Sequence, residues 1–407
     1  MWRLLLTHVK YRWECGNLAD VGRSLSREIL DLAIEPPYIN VDPGPEYSDE
    51  VRNYAMVIGT DRTPGGRIWA AWVAGGDSDL GYFVVGKSDD NGRTWSKPML
   101  VIDPTDSPTG LRRRTLVGNF WTDPVGTLWL FFDQSLGYFD GRAGVWAITC
   151  SNPDAERPVW SAPRRIWHGA TLNKPTVLST GEWLLPISLW TRRVIRPEPL
   201  GGDFPELDDM RMAHVFVSTD QGRTWTRRGG VCFEESRFDE HMIVELKDGR
   251  LWMLARTTYG TAESFSSDRG KTWEAGQPSK IQHTSSRFFL RRLASGRILL
   301  VKHGAIEERT ERRSHLRAFI SEDEGQTWQG GLMIDERADV SYPDGFQAPD
   351  GVISIIYDHN RATDSEILMA QFREEDVLAG RFVSSDARER MLVSKALGPK
   401  QAEKLSS

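Results

Sequence analysis

The sequence predicts an all-β chain folded as a six-bladed β-propeller with Asp-box turns, and three observations predict it. The first is a repeated octapeptide, S-x-D-x-G-x-T-W, found at Ser88–Trp95, Ser218–Trp225, Ser266–Trp273 and Ser321–Trp328. The second is spacing. The starts lie 130, 48 and 55 residues apart, and about 40–50 residues build one four-stranded blade. The third is a set of six apolar runs, each entered through a Gly-bearing turn.

Each octapeptide reads as a hairpin turn. The Asp carboxylate accepts hydrogen bonds from the turn's own amides, and the Gly supplies a positive φ. The Trp then folds back between strands, so the four indoles are expected to be buried and away from the central pocket. Ser151-Asn-Pro-Asp-Ala-Glu-Arg-Pro-Val-Trp160 reads as a decayed copy.

The apolar runs are Arg67–Trp72, Leu128–Phe132, Trp183–Ile187, Leu251–Ala255, Ile298–Val301 and Val352–Tyr357. Gly66, Gly126, Gly181, Gly249, Gly296 and Gly351 precede them. Apolar stretches of this length between Gly, Asp and Pro are strands. Six turn-plus-strand units imply six blades.

Residues 1–45 lack the repeat and form an N-terminal extension, with a short helix expected over Ser24–Ile34. Pro36-Pro37 and Pro43-Gly-Pro45 break the chain before the first strand. The propeller is expected over 46–385, with Ile367–Phe372 closing the ring against the N-terminal segment. Residues 386–407 read as a charged C-terminal tail, and Pro197–Asp209 as a loop inserted in the third blade. Gly201-Gly-Asp-Phe204 in that loop and Asp89-Asp-Asn-Gly92 match short nucleotide-synthase and calcium-loop patterns. The β-rich context and the missing downstream Glu argue against both.

A net charge of −6 argues against nucleic acid or an anionic membrane as the main partner. Three widely spaced cysteines suggest neither a disulfide framework nor a zinc site. No apolar run is long enough to span a bilayer, and Met1–His8 is too short in apolar residues for a secretory leader. A cytoplasmic protein is expected.

One segment carries the chemistry. Glu240-His-Met-Ile-Val-Glu-Leu-Lys-Asp-Gly-Arg-Leu-Trp-Met-Leu-Ala-Arg256 resembles the E-x-x-x-x-E-L-x-D-G-x-L-x-x-x-x-R stretch of the sialidase (neuraminidase) superfamily. The resemblance implies that Glu240 activates the nucleophile and that Arg256 belongs to an arginine triad. Arg313–Ser321 is similar to the R-x-N-L stretch leading into a box, which implies Arg313 as a second member, with Arg312 as the alternative register. Tyr342-Pro-Asp-Gly and the Tyr357-Asp358 ending are similar to the family's nucleophile and final acid, so Tyr342 is implied as nucleophile and Asp358 as the acid steadying an arginine. Arg52 holds the place of the remaining arginine, although the family's R-I-P reads Arg52-Asn-Tyr here. The acid/base is implied in the loop before the first box, at Asp79 or Asp77, with Asp79 placed slightly ahead.

These residue types suit one reaction. Three guanidiniums hold a substrate carboxylate through charge-assisted, partly bidentate bonds. That carboxylate would repel a carboxylate nucleophile, so a neutral Tyr with an adjacent base is the fitting attacker. The acid/base then protonates the leaving oxygen and later activates water, with net retention. No metal or organic cofactor is required.

Val41–Tyr47, Asn173–Pro175, Phe238–Met242, Ser285–Phe288 and Asp335–Gly345 further resemble a large group of bacterial sialidase-like proteins. Asn173, Lys174, His241 and Arg287 in these stretches are implied as pocket residues. The expected activity is exo-hydrolysis of a terminal α-linked acidic sugar, with an acidic glycan as partner. A uronate-recognising polysaccharide lyase on the same fold and a non-catalytic glycan-binding propeller are the alternatives.

Overall fold

All six apolar runs become the second strand of a four-stranded antiparallel sheet in the computed structural model, which describes residues 30–104, 113–194 and 204–399. Blade 1 contains β1 (Met56–Arg62), β2 (Ile68–Ala74), β3 (Tyr82–Ser88) and β4 (Leu100–Ile102). Blade 2 contains β5 (Gly118–Thr122), β6 (Leu128–Gln134), β7 (Gly144–Cys150) and β8 (Arg164–Trp167). Blade 3 runs through β9 (Thr176–Val177), β10 (Trp183–Ser188), β11 (Ala213–Ser218) and β12 (Thr226–Val231). Blade 4 holds β13 (Asp239–Glu245), β14 (Leu251–Arg256), β15 (Thr261–Ser266) and β16 (Gln277–Pro278). Blade 5 holds β17 (Phe289–Arg292), β18 (Ile298–His303), β19 (Ser314–Ser321) and β20 (Gln329–Ala338). Blade 6 ends the ring with β21 (Val340–Gln347), β22 (Ile353–His359), β23 (Glu366–Phe372) and β24 (Arg388–Lys395). The propeller is six-bladed.

Burial explains the sequence rhythm. Every residue of β2, β6, β10, β14, β18 and β22 is buried. A second strand has ladder partners on both sides and a neighbouring blade on each face, so it reads as one continuous apolar run. Outer strands such as β8, mostly half-buried, and β16, exposed, carry no such signal.

The boxes turn β3 into β4 and its counterparts in blades 3, 4 and 5. In the first, Asp90 Oδ1 accepts from Thr94 N at 2.9 Å and from Ser88 Oγ at 2.8 Å, while Gly92 N donates to Ser88 Oγ at 2.8 Å. The residue before each box Gly also has positive φ: Asn91, Gln221, Arg269 and Glu324. Glycine is needed next because a Cβ on Gly222 would meet Trp129 of blade 2 at 2.5 Å. The box Trp residues are half-buried rather than buried, packing at the margins of the inter-blade cores. In the decayed copy, Asn152 Oδ1 does the carboxylate's work by accepting from Val159 N at 2.9 Å.

The ends of the chain depart from expectation. Residues 386–407 are not simply a tail, because β24 forms the outer strand of blade 6. Each blade is built from consecutive strands, and Ile367–Phe372 pairs only within blade 6. Closure comes from a latch: Leu397 N donates to Asp49 O and Gly398 N to Arg52 O, both at 2.7 Å. Asn40 bridges Val101 at the outer edge of blade 1. Of the helix expected over Ser24–Ile34, Leu32–Ile34 is a short 3-10 turn, and residues before 30 lie outside the described ones. The loop expected at Pro197–Asp209 ends in a 3-10 helix, Pro205–Met210, with 195–203 also outside the described residues. Among the described residues no helix is long and apolar enough to cross a membrane.

Candidate active site

Strand alternation puts the boxes on one end of the propeller. The turns between second and third strands, and the entries to the first strands, lie at the other end. There a cavity of about 220 Å³ opens, lined by Asp77, Tyr138, Trp190, Phe238, Glu240, Arg256, Arg313 and Tyr342, with Met56, Leu116 and Val117.

Two bulges aim the central pair. In blade 4, Asp239 pairs with Arg256 but Met242 pairs with Leu254, so β13 carries one extra residue. In blade 6, Ser341 pairs with Asp358 but Asp344 pairs with Ile356, and β21 is bulged in the same way. Pro343 has no N–H for the ladder, which suits it to a bulge. Glu240 has φ +44° and Tyr342 φ +56°, a conformation costly for side chains of this size. Asp239, held by Ser188 and Ser236, braces the first bulge.

Tyr342 Oη donates to Glu240 Oε1 at 2.9 Å, and Arg256 Nη1 donates to the same oxygen at 2.8 Å. Glu240 Oε2 is buried with no hydrogen-bond partner among the described residues. Burial, then the Glu240 carboxylate, push the Tyr342 phenol above its ordinary pKa, while Arg256, Arg361 and Arg313 oppose them. Tyr342 is therefore a neutral phenol at neutral pH. Burial works against the charge of Arg256, but Glu240 and Tyr342 beside it outweigh burial and raise its pKa.

Three guanidiniums surround Tyr342. Arg256 Nη1 is 3.4 Å from its Oη, and the Cζ atoms of Arg313 and Arg361 lie 5.4 Å and 4.2 Å from its ring centre. At blade 5, Arg313 lines the cavity, whereas Arg312 is exposed and paired with Asp339. Asp358 Oδ1 accepts from Arg361 Nε at 2.9 Å and from Ser341 Oγ at 2.6 Å. Asp358 therefore steadies Arg361.

Arg52, the expected triad member, does not join this group. Its buried guanidinium bonds Ser394 Oγ at 2.8 Å and Asp49, and lies over Trp72. It belongs to the latch. Of the two candidate acids, Asp77 lines the cavity, with Tyr138 Oη 3.3 Å from its Oδ1, and Asp79 does not.

Asn173, Lys174, His241 and Arg287 also leave the pocket. Lys174 Nζ is 3.1 Å from Asp344 Oδ2 and donates to Phe120 O at 2.7 Å. Arg287 donates to Asn173 Oδ1 at 2.9 Å, Ile58 O at 2.9 Å and Asp344 Oδ1 at 3.1 Å. Asn173 Nδ2 donates to the Glu240 and His241 carbonyls, and His241 Nε2 lies 2.8 Å from His214 O. These groups are buried and join residues of all six blades, so they tie the ring rather than line the cavity.

Sequence reasoning missed Arg361, Tyr138 and Trp190. Arg361 had one available signal, its position three residues after the acid Asp358.

Comparisons with known proteins bear on the fold. The family model for the BNR repeat-like domain matches residues 66–355. Among curated proteins, none matches the chain. The intramolecular trans-sialidase from Ruminococcus gnavus, solved with oseltamivir carboxylate, has a similar fold: TM-score 0.59, 14% identity, covering 83% of this chain and 98% of that one. A protein of unknown function from Dyadobacter fermentans gives TM-score 0.57 at 17% identity, covering 80% and 95%. The Trypanosoma rangeli sialidase with the inhibitor DANA gives TM-score 0.57 at 14%, covering 81% and 57%. At these identities the likeness is one of fold. With four boxes in a six-bladed, sialidase-like propeller and a family match over most of its length, the chain belongs to the BNR repeat-like domain family.

Proposed function

We propose that this protein is an exo-acting, retaining glycoside hydrolase for a terminal α-linked acidic sugar such as a nonulosonic acid. The observation that carries the reading is the 2.9 Å bond from Tyr342 Oη to Glu240 Oε1 in a cavity also lined by arginines and Asp77. Glu240 accepts the phenolic proton as Tyr342 Oη attacks the anomeric carbon. Asp77 protonates the departing aglycone oxygen. Asp77 then takes a proton from water, which attacks the same carbon. Tyr342 leaves and recovers its proton from Glu240. Two inversions give retention.

Arg256 and Arg313 supply the attraction for the sugar's carboxylate. A neutral phenol is suited to attack beside that negative charge, where an ionised Asp or Glu would be repelled. Phe238 and Trp190, packed edge to face with centres 5.1 Å apart, provide an apolar wall for the sugar's non-polar face.

A screen of aryl α-glycosides of sialic, ketodeoxynonulosonic and uronic acids tests the reading. Aryl alcohol release with a retained sugar product is expected from a nonulosonic substrate. An unsaturated, ultraviolet-absorbing sugar product would make the protein a lyase instead. Binding without turnover of any member would make it a lectin-like propeller.

A further inference from the structure

The arginine expected from the N-terminal segment is committed elsewhere, because Arg52 fastens the latch between Asp49 and Ser394. A different guanidinium has reached the site. We propose that Arg361, on the turn after β22, is a carboxylate-binding residue of this pocket and completes a triad with Arg256 and Arg313. The inference rests on the function proposed above and assigns its third anchoring cation.

Geometry carries the assignment. Arg361 Nε bonds Asp358 at 2.9 Å and Nη2 bonds Ser341 Oγ at 2.8 Å, so two of its nitrogens are fixed from behind. Nη1 forms a loose ion pair with Asp77 Oδ2 at 3.8 Å, beyond hydrogen-bond length, and Asp77 lines the cavity. A substrate carboxylate bound on the Asp77 side would meet that nitrogen.

The turn itself is clamped. Ala55 N and Ser365 Oγ donate to the Arg361 carbonyl at 3.0 Å and 2.9 Å, and Asn360 N donates to Asp339 O at 3.0 Å. A guanidinium fixed before the ligand arrives loses little freedom on binding.

Charge points the same way. Arg256, Arg313 and Arg361 surround Tyr342, and the buried carboxylates among them are Glu240 and Asp358. Asp77 stands at the exposed side. Burial first, then the neighbouring charge of Arg361, lower the pKa of Arg313. With Asp77, the ion-pair partner of Arg361 Nη1, protonated as the acid of the proposed reaction, one more anion balances the group.

Tyr342 and Arg361 are both held to Asp358 through Ser341 and the β21–β22 ladder, so nucleophile and anchor move as one unit of blade 6. A sugar is gripped by its acid at a fixed distance from the attacking oxygen, and a neutral analogue loses that grip.

The test compares DANA with its methyl ester by calorimetry. Arg361→Met is expected to weaken DANA binding by roughly 10- to 100-fold, the worth of one charge-assisted contact. It leaves binding of the ester unchanged. Arg361→Lys, which keeps the charge and the fold but not the planar fork, is expected to lose several-fold, again for the acid alone. Equal loss for acid and ester would make Arg361 a prop for Tyr342 and overturn the assignment, as would no loss in either variant. A wild-type protein that binds no DANA would overturn both this inference and the function on which it rests. Wild-type binding with indifferent Arg361 variants would overturn this inference alone.

Discussion

Tyr342 and Glu240 meet across the propeller axis through a 2.9 Å hydrogen bond, each from a bulge on the innermost strand of its blade and each with positive φ. The bulges lie in blades 4 and 6, which are not neighbours. Two strained residues that come together in a cavity are an arrangement the surrounding fold must enforce, and such strain concentrates at functional sites. Asp239 braces one bulge through two serines, and the Ser341–Asp358 bond braces the other.

Tyr342→Phe removes the attacking oxygen but leaves the guanidiniums in place. Turnover of an acidic aryl glycoside is expected to fall by at least about a thousandfold, with affinity for the acidic sugar nearly unchanged. Steady-state kinetics together with DANA binding separate the two effects.

Arg52 and Arg313 should fail in different ways. Arg52→Ala breaks the latch and is expected to lower stability by about 2–3 kcal/mol with little change in KM. Arg313→Ala is expected to raise KM by roughly 10-fold or more, with a small change in melting temperature. Denaturant unfolding and kinetics on the same preparations make the comparison.

The axial network is a stability device. Replacing Lys174 with Met leaves the buried Asp344 carboxylate with Arg287 as its remaining salt-bridge partner among the described residues and takes the cation from Asp61, and a cost of about 3–5 kcal/mol is expected. Urea midpoints measure it. A Lys174→Met protein with full stability and lost sugar affinity would return Lys174 to the pocket.

Much of the fold was legible because the second strands are buried on both faces and the boxes are local. The outer strands were not: β16 is two exposed residues, and β24 looked like a charged tail because only its end is buried. Glu240, Arg256 and Tyr342 were singled out by resemblance to short sialidase-superfamily stretches, and the structure brings the three side chains together. Arg52 was misread because its partner Ser394 is 342 residues away, and no local pattern says where a long guanidinium ends. Asn173, Lys174, His241 and Arg287 show the same limit. Sequence marks them as polar residues on inner segments, but it does not separate the mouth of the channel from its satisfied interior.

Acid should loosen the ring through its buried histidines. Burial depresses His214 and His241 from 6.5 to about 4, so both are neutral when folded at pH values where the unfolded chain is protonated. The unfolded state binds more protons between those values, so stability is complete above about 6.5 and falls as pH drops toward about 4. The loss is on the order of a few kcal/mol in all. Melting temperature against pH is expected to decline across that window, and His241→Gln should flatten the decline.

The box carboxylates act lower. Hydrogen bonds from Thr224, side chain first and then backbone, hold Asp220 at about 2. Its contribution is present above the ordinary carboxylate value and is lost as pH falls through about 2. Asp220→Asn is therefore expected to melt below the wild type at neutral pH and together with it in strong acid.

In the proposed reaction Tyr342 forms the covalent bond to the sugar. Incubation with a fluorinated nonulosonic acid bearing a good leaving group, followed by peptide mass spectrometry, tests it most directly. One sugar adduct is expected on the peptide containing Tyr342, and none in the Tyr342→Phe variant. An adduct on Glu240 or Asp77, or hydrolysis at the normal rate by the Phe variant, would contradict it.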